Sequence, residues 1–160
     1  LATYALTIFF ILRAAGRFLG AWLLNHLAWD SVLAVLAVGI FLCFAGSLAG
    51  GPGLAVWLLP LSGLFMSVMY PTLNSKGISC FPKDEHGAIA GVILFFTAFA
   101  AAVGPLAMAA VSDAFGNIRY GFMLATLFSL LLCMGLLWNR AGKPAAARLA
   151  QFGTTGVKPV

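Results

Sequence analysis

Charge is what this sequence has least of. Only 8% of its 160 residues are Asp, Glu, Lys or Arg, and just four are acidic, against about 25% charged in soluble domains. Between Asp30 and Lys76 there is none at all for 45 residues. A folded soluble domain of this length could not hide a chain that is 62% hydrophobic, so lipid is the solvent for much of it. As a helix the uncharged run would extend roughly 68 Å, about twice the ~30 Å hydrocarbon core of a bilayer. It must cross and return, and Gly50-Gly51-Pro52-Gly53 marks the turn. Cysteine is also scarce: Cys43, Cys80 and Cys133 show no metal or redox spacing and read as small apolar side chains. Neither a nucleophile–base arrangement, nor a phosphate loop, nor a cofactor motif is present. No basic patch alternates with aromatics as nucleic-acid binding requires. These absences argue against an enzyme and against a nucleic-acid partner.

What is present is a series of apolar runs too uniform to be transmembrane strands, which alternate apolar and polar residues. The fold class is all-α, a polytopic helical membrane protein with five expected spans at 1–24, 31–49, 54–75, 87–111 and 120–138, followed by a mobile polar tail over 140–160. The chain opens inside a hydrophobic segment and reads as a fragment. With five spans, eight of the nine basic residues fall on one side and Arg119 alone on the other. The positive-inside rule then puts the tail and the Lys83 loop in the cytoplasm. Trp22, Trp57 and Trp138 lie near expected span ends, where amphipathic rings settle.

The third span carries a polar stripe. Gly63, Ser67, Tyr70 and Asn74 are spaced four, three and four apart and share one helical face. Pro71 has no amide hydrogen, so the carbonyl of Ser67 loses its helical partner. Two readings fit: one wall of a polar solute pathway, or helix packing around a proline kink. Pro105 interrupts the fourth span in the same way, freeing the carbonyl of Ala101; interrupted membrane helices point to transporter sites. Thr97 is that span's clearest polar group, beside Phe95, Phe96 and Phe99, whose rings could stack on a solute or face lipid. Arg13 and Arg17 share a face of the first span, suiting either snorkelling to the headgroups or gating. Gly16 with Gly20 has the spacing of close helix contacts. Asp113, past the fourth span, is expected to pair with Arg119 in the outer loop. His26 and His86 stand at loop edges with no second metal ligand in register.

Three stretches resemble one family. Gly16-Arg17-Phe18-Leu19-Gly20-Ala21-Trp22-Leu23 is similar to the cytoplasmic end of the eighth helix of the fucose/glucose-galactose:proton symporter family of the major facilitator superfamily. Phe65-Met66-Ser67-Val68-Met69-Tyr70-Pro71-Thr72, followed by Ser75-Lys76-Gly77-Ile78, resembles its tenth helix. Val111-Ser112-Asp113-Ala114-Phe115-Gly116-Asn117 resembles the outer end of its eleventh. The resemblance implies helices eight to twelve of a twelve-helix, alternating-access transporter in the cell inner membrane, with a cytoplasmic C-terminus. It implies a sugar substrate, favours Ser67, Tyr70 and Asn74 as cavity-facing contacts, and makes Arg17 resemble a gating contact on the inner face, whereas Arg13 matches no position of the family and its role stays open. The residues themselves offer Thr97 and Phe96 as further candidate contacts, and Gly16, Gly20, Pro71, Pro105 and Asp113 as gating or structural positions. Proton coupling is implied by the family alone, because no acid lies inside any span. The remaining partners would be the bilayer and the transporter's missing N-terminal helices. A facilitator-superfamily transporter for another small solute, or a non-transporting membrane scaffold or sensor, would share most of these features.

Overall fold

The computed structural model describes residues 2–153. Leu1 and the end of the expected tail, including Lys158, lie outside the described residues. The order is α1 (Ala2–His26), α2 (Trp29–Met66), α3 (Met69–Ser79), a 3₁₀ turn (Lys83–Glu85), α4 (His86–Ala114), α5 (Ile118–Gly142) and α6 (Pro144–Gly153). Four stretches are long and apolar enough to cross a membrane: Tyr4–His26, Trp29–Ser79, Lys83–Ala114 and Ile118–Gly142. The chain is a multi-pass membrane protein.

Local chemistry sets the boundaries. At the end of α1 the His26 ring lies 2.9 Å from the Trp22 carbonyl one turn earlier, and the Leu27 amide still donates to the Leu23 carbonyl at 2.8 Å. Asp30 opens α2, where the helix dipole favours a negative charge, and its carboxylate accepts the Ser31 amide at 2.9 Å. Asn117 begins α5 by accepting the Arg119 amide at 2.9 Å.

Within α2 the chain reverses. Gly51 has φ 69° and ψ −167°, a conformation only glycine adopts easily, and Pro52 follows it without an N–H. The arms 29–50 and 52–66 then run back along one another. A Cβ added to Gly39 would lie 2.9 Å from the Phe65 ring, and one on Gly46 would lie 2.8 Å from Leu58. The expected four-residue turn is thus made essentially at one residue.

Val32, Leu33, Leu36, Ala37 and Ile40 of the first arm form the core with Val68, Met69, Cys133 and Leu136. Lipid is as apolar as leucine, so this core is held by close packing and not by escape from water. Alongside, α1 runs parallel to the second arm and α5 antiparallel to the first, with Phe122 against Phe44 at 5.5 Å. By contrast, α4 borders α3 and α5 and has no buried residue. It passes through Pro105 without a break.

Two expectations change. The third span is not one helix to Ser75: it stops at Met66, turns through Ser67 and Val68, and resumes as α3. The mobile tail expected from 140 onward does not begin there. Residues 140–142 continue α5, and 144–153 are helical. Pro144 occupies the first position of α6, where a missing amide hydrogen costs nothing.

The helix ends collect into two sets. One gathers His26, Trp29, Lys76, Cys80 and Ala145: Lys76 Nζ lies 5.9 Å from the centre of the Trp29 ring, and the Cys80 thiol lies 3.9 Å from the Ala145 carbonyl. The other gathers the Gly51 reversal and the α4–α5 turn.

Candidate functional site

The interruption at Ser67–Val68 follows from Pro71. With no proline amide to accept, the Ser67 carbonyl is released, and Val68 relaxes to φ −106°, ψ −4°. The Ser67 amide and hydroxyl both turn to the Leu64 carbonyl, at 3.4 and 2.7 Å, and Thr72 N–H takes up the Val68 carbonyl at 3.1 Å.

This break rests on the paired glycines of α1. A Cβ on Gly16 would sit 2.5 Å from both the Leu64 carbonyl oxygen and Ser67 Oγ, and one on Gly20 would collide with the Val68 side chain. Gly63 meets Phe9 just as closely, 2.7 Å from a Cβ position to the ring and the carbonyl oxygen. Gly16 and Gly20 therefore bring α1 onto the irregular backbone, a contact of the small-residue kind.

The structure divides the polar stripe. Gly63 and Ser67, the latter only 3% exposed, belong to the α1 contact. Tyr70 is 45% exposed, Pro71 is exposed and Asn74 is half-buried. The hydroxyls of Ser47, Ser62, Ser67, Thr97, Ser112, Thr126 and Ser129 each donate to a carbonyl three or four residues earlier, at 2.7 to 3.0 Å. Such back-bonding satisfies a hydroxyl in lipid without any partner helix. A tyrosine phenol stands too far from its own backbone to do this. No described hydrogen bond engages the side chains of Tyr70 or Asn74, so their capacity is available to something else.

On α4, Thr97 is half-buried and donates to Ile93 at 2.7 Å. Ile93 faces Gly77 of α3, 3.5 Å from a Cβ position there, so Thr97 lies one turn beyond the α3–α4 contact. Phe95, Phe96 and Phe99 are all exposed and pack among themselves, Phe95 edge-on to Phe96 at 5.5 Å and stacked with Phe99 at 6.5 Å. Tyr70 and Thr97 are on adjoining helices, and no described hydrogen bond joins them.

Arg13, half-buried, and Arg17, exposed, line a groove of 530 Å³ on α1 with Phe10, Ala14 and Phe18. No acid lies on α1. At the opposite end Asp113 is exposed and borders a 730 Å³ cleft with Ser112, Asn117 and Gly121. Its expected pairing with Arg119 is replaced by another contact: Arg119 Nη2 donates to the Leu48 carbonyl at 3.2 Å. Pro52 stands four residues after Leu48, so that carbonyl has no helical donor. The proline spacing in the sequence signals the freed carbonyl; nothing in it signals a partner 71 residues away.

Among the described residues, no group of three His, Cys, Asp or Glu side chains could hold a metal ion. No family profile matches the chain, and no solved structure matches it. Over 126 residues the chain is 35% identical to the L-fucose-proton symporter of Escherichia coli (strain K12), a match that takes in 78% of this chain and 27% of that protein. The chain thus spans little more than a quarter of the length of the curated relative it matches.

Proposed function

Because the chain belongs to the fucose/glucose-galactose:proton symporter family of the major facilitator superfamily, we propose that it supplies helices eight to twelve of a twelve-helix sugar transporter. That protein works by alternating access in the cell inner membrane, with proton symport and a cytoplasmic C-terminus. α1 is then the eighth helix, the two arms of α2 the ninth and tenth with α3 completing the tenth, and α4 and α5 the eleventh and twelfth. One observation carries the reading: in the interrupted tenth helix, Tyr70 and Asn74 keep hydrogen-bonding capacity that the neighbouring hydroxyls have spent on their own backbones.

In this mechanism Tyr70 and Asn74 bond sugar hydroxyls from one wall of the cavity. Phe96 offers a ring to the apolar face of the sugar, and Thr97 stands beside it. Ser67 acts by fixing the break that presents Tyr70, since its own hydroxyl is buried against α1. Arg17, with Arg13 one turn deeper, contacts the N-terminal bundle on the inner side and releases it as the halves rock. Pro71 and Pro105 allow local bending of the two cavity helices. All four acids, Asp30, Asp84, Glu85 and Asp113, lie at or beyond helix ends. The carboxylate that couples proton to sugar therefore belongs to the rest of the protein.

The test is counterflow and equilibrium binding with radiolabelled sugars on the complete transporter. Tyr70→Ala and Asn74→Ala should each weaken sugar binding about tenfold or more, the worth of one charge-neutral hydrogen bond or slightly above it. Unchanged binding in both variants overturns the site. Exchange of some other solute but of no sugar overturns the substrate class.

A further inference from the structure

The helix α6 is the chain's most amphipathic element, and the transport cycle proposed above makes no use of it. Its Ala145, Ala146, Leu149 and Phe152 are half-covered, whereas Arg148 and Gln151 are exposed on the other side. The corner leading into it is built. Lys143 takes a left-handed conformation, φ 50° and ψ 34°, costly for a residue with a Cβ. Asn139 holds it there: its carbonyl accepts the Lys143 amide at 2.8 Å, and its Oδ1 accepts the Ala145 amide at 3.3 Å. The chain cannot continue along the α5 axis, and it passes instead to the end of α3, where Ala145 meets Cys80.

Depth follows from the aromatic residues. Trp138 is 77% exposed near the end of α5, and Phe81 is exposed just beyond α3. Exposed tryptophan at a span end settles at headgroup level. Pro144 follows six residues later, about 9 Å of helix rise, which keeps α6 close to that level. Charge supplies the chemistry. Arg140, Lys143 and Arg148 are exposed on or beside α6, and Lys76 approaches from α3. Three acids lie on this edge: Asp30 opens α2, next to the groove that Ser31 shares with Arg140, and Asp84 and Glu85 sit in the 3₁₀ turn before α4; none lies on α5 or α6. The Cys80 thiol, pushed up by burial, is pulled back down by both Arg148 and Lys76, as expected if the two cations reach the same spot from different helices.

We propose that α6 is an interfacial helix that binds acidic phospholipid headgroups through Arg140, Lys143 and Arg148, with Leu149 and Phe152 toward the acyl region. Lipid charge thereby pins α6 across the end of the interrupted α3. Juxtamembrane basic residues near anionic headgroups have this effect in general, and salt weakens it. The inference does not depend on which solute is carried.

The experiment is hydrogen–deuterium exchange on the intact protein in nanodiscs of phosphatidylcholine alone or with roughly a third phosphatidylglycerol. The acidic lipid should slow exchange across 145–152 by about fivefold or more, and about 0.5 M salt should remove most of that difference. The triple variant R140Q, K143N, R148Q should lose the lipid dependence while exchange in the α2 core stays unchanged, which separates lost binding from lost folding. Equal protection in both lipids, as for a helix docked on protein alone, overturns the proposal. So does a lipid effect that survives the triple variant.

Discussion

α2 and α4 are both long and apolar and both contain proline, yet they occupy opposite situations. The first arm of α2 is packed on several sides, with Leu33 and Ala37 fully buried, whereas α4 has no buried residue. What separates them is side-chain size and what lies opposite. Gly39 and Gly46 of α2 receive Phe65 and Leu58 at contact distance, but around Gly87, Gly91 and Gly104 of α4 there is open space. Hydropathy places a helix in the membrane; small residues matched to a neighbour decide whether protein or something else covers it. The uncovered faces of α4, including Phe95, Phe96 and Phe99, suit a helix bordering lipid or the other bundle of a complete transporter.

Paired substitutions can break this contrast. The largest effect should come from Leu33→Ala in α2, which removes a fully buried side chain and should cost about 3 kcal/mol. Leu94→Ala, on the exposed flank of α4, should cost under about 0.5 kcal/mol. Thermal unfolding in detergent measures both, and equal losses would remove the distinction. Next is Gly20→Val, which drives a side chain into Val68 and should destabilise by about 1–3 kcal/mol. Gly91→Val, with nothing within 4 Å, should leave the melting temperature nearly unchanged.

Two smaller effects sharpen the picture at the helix ends. Arg119→Gln loses the donor to the Leu48 carbonyl and should lower stability by about 0.5–1 kcal/mol, a modest figure because the contact is exposed to solvent. Asp113→Asn should change nothing, and a loss equal to that of Arg119→Gln would restore the ion pair expected from sequence. At the opposite end, burial raises the Cys80 thiol above its ordinary value while Arg148 and Lys76 oppose the rise. Only the thiolate reacts, so maleimide labelling of Cys80 should be slow at neutral pH and accelerate as pH rises into and past the usual thiol range. Arg148→Gln removes one of the opposing cations, and labelling should slow further. Faster labelling in that variant would mean that access, and not ionisation, limits the reaction.

The spans were legible because their cause is local: a charge-free run longer than two crossings, and a Gly-Gly-Pro-Gly cluster within it. The disturbance at Pro71 was legible for the same reason, since a missing amide hydrogen can be read from one letter. Its outcome was not. Helical spacing puts Ser67 on one face with Tyr70 and Asn74, but the turn at Val68 changes the register, and Gly16 on another helix takes up Ser67. Whether Arg119 would choose Asp113 or a carbonyl freed by Pro52 depended on the fold-back of α2, which brings Leu48 within reach. The helix after Pro144 is not legible because alanine, with one leucine and one phenylalanine, gives too weak an apolar rhythm to oppose the basic residues around it.

The reversal at Gly51 bears on how the protein enters its membrane. A return path made at one glycine leaves no hydrophilic connector to be hauled through hydrocarbon. The two arms of α2 can slip in together as a closed pair, and the Leu48 carbonyl freed at the reversal is met by Arg119 once α5 packs against them.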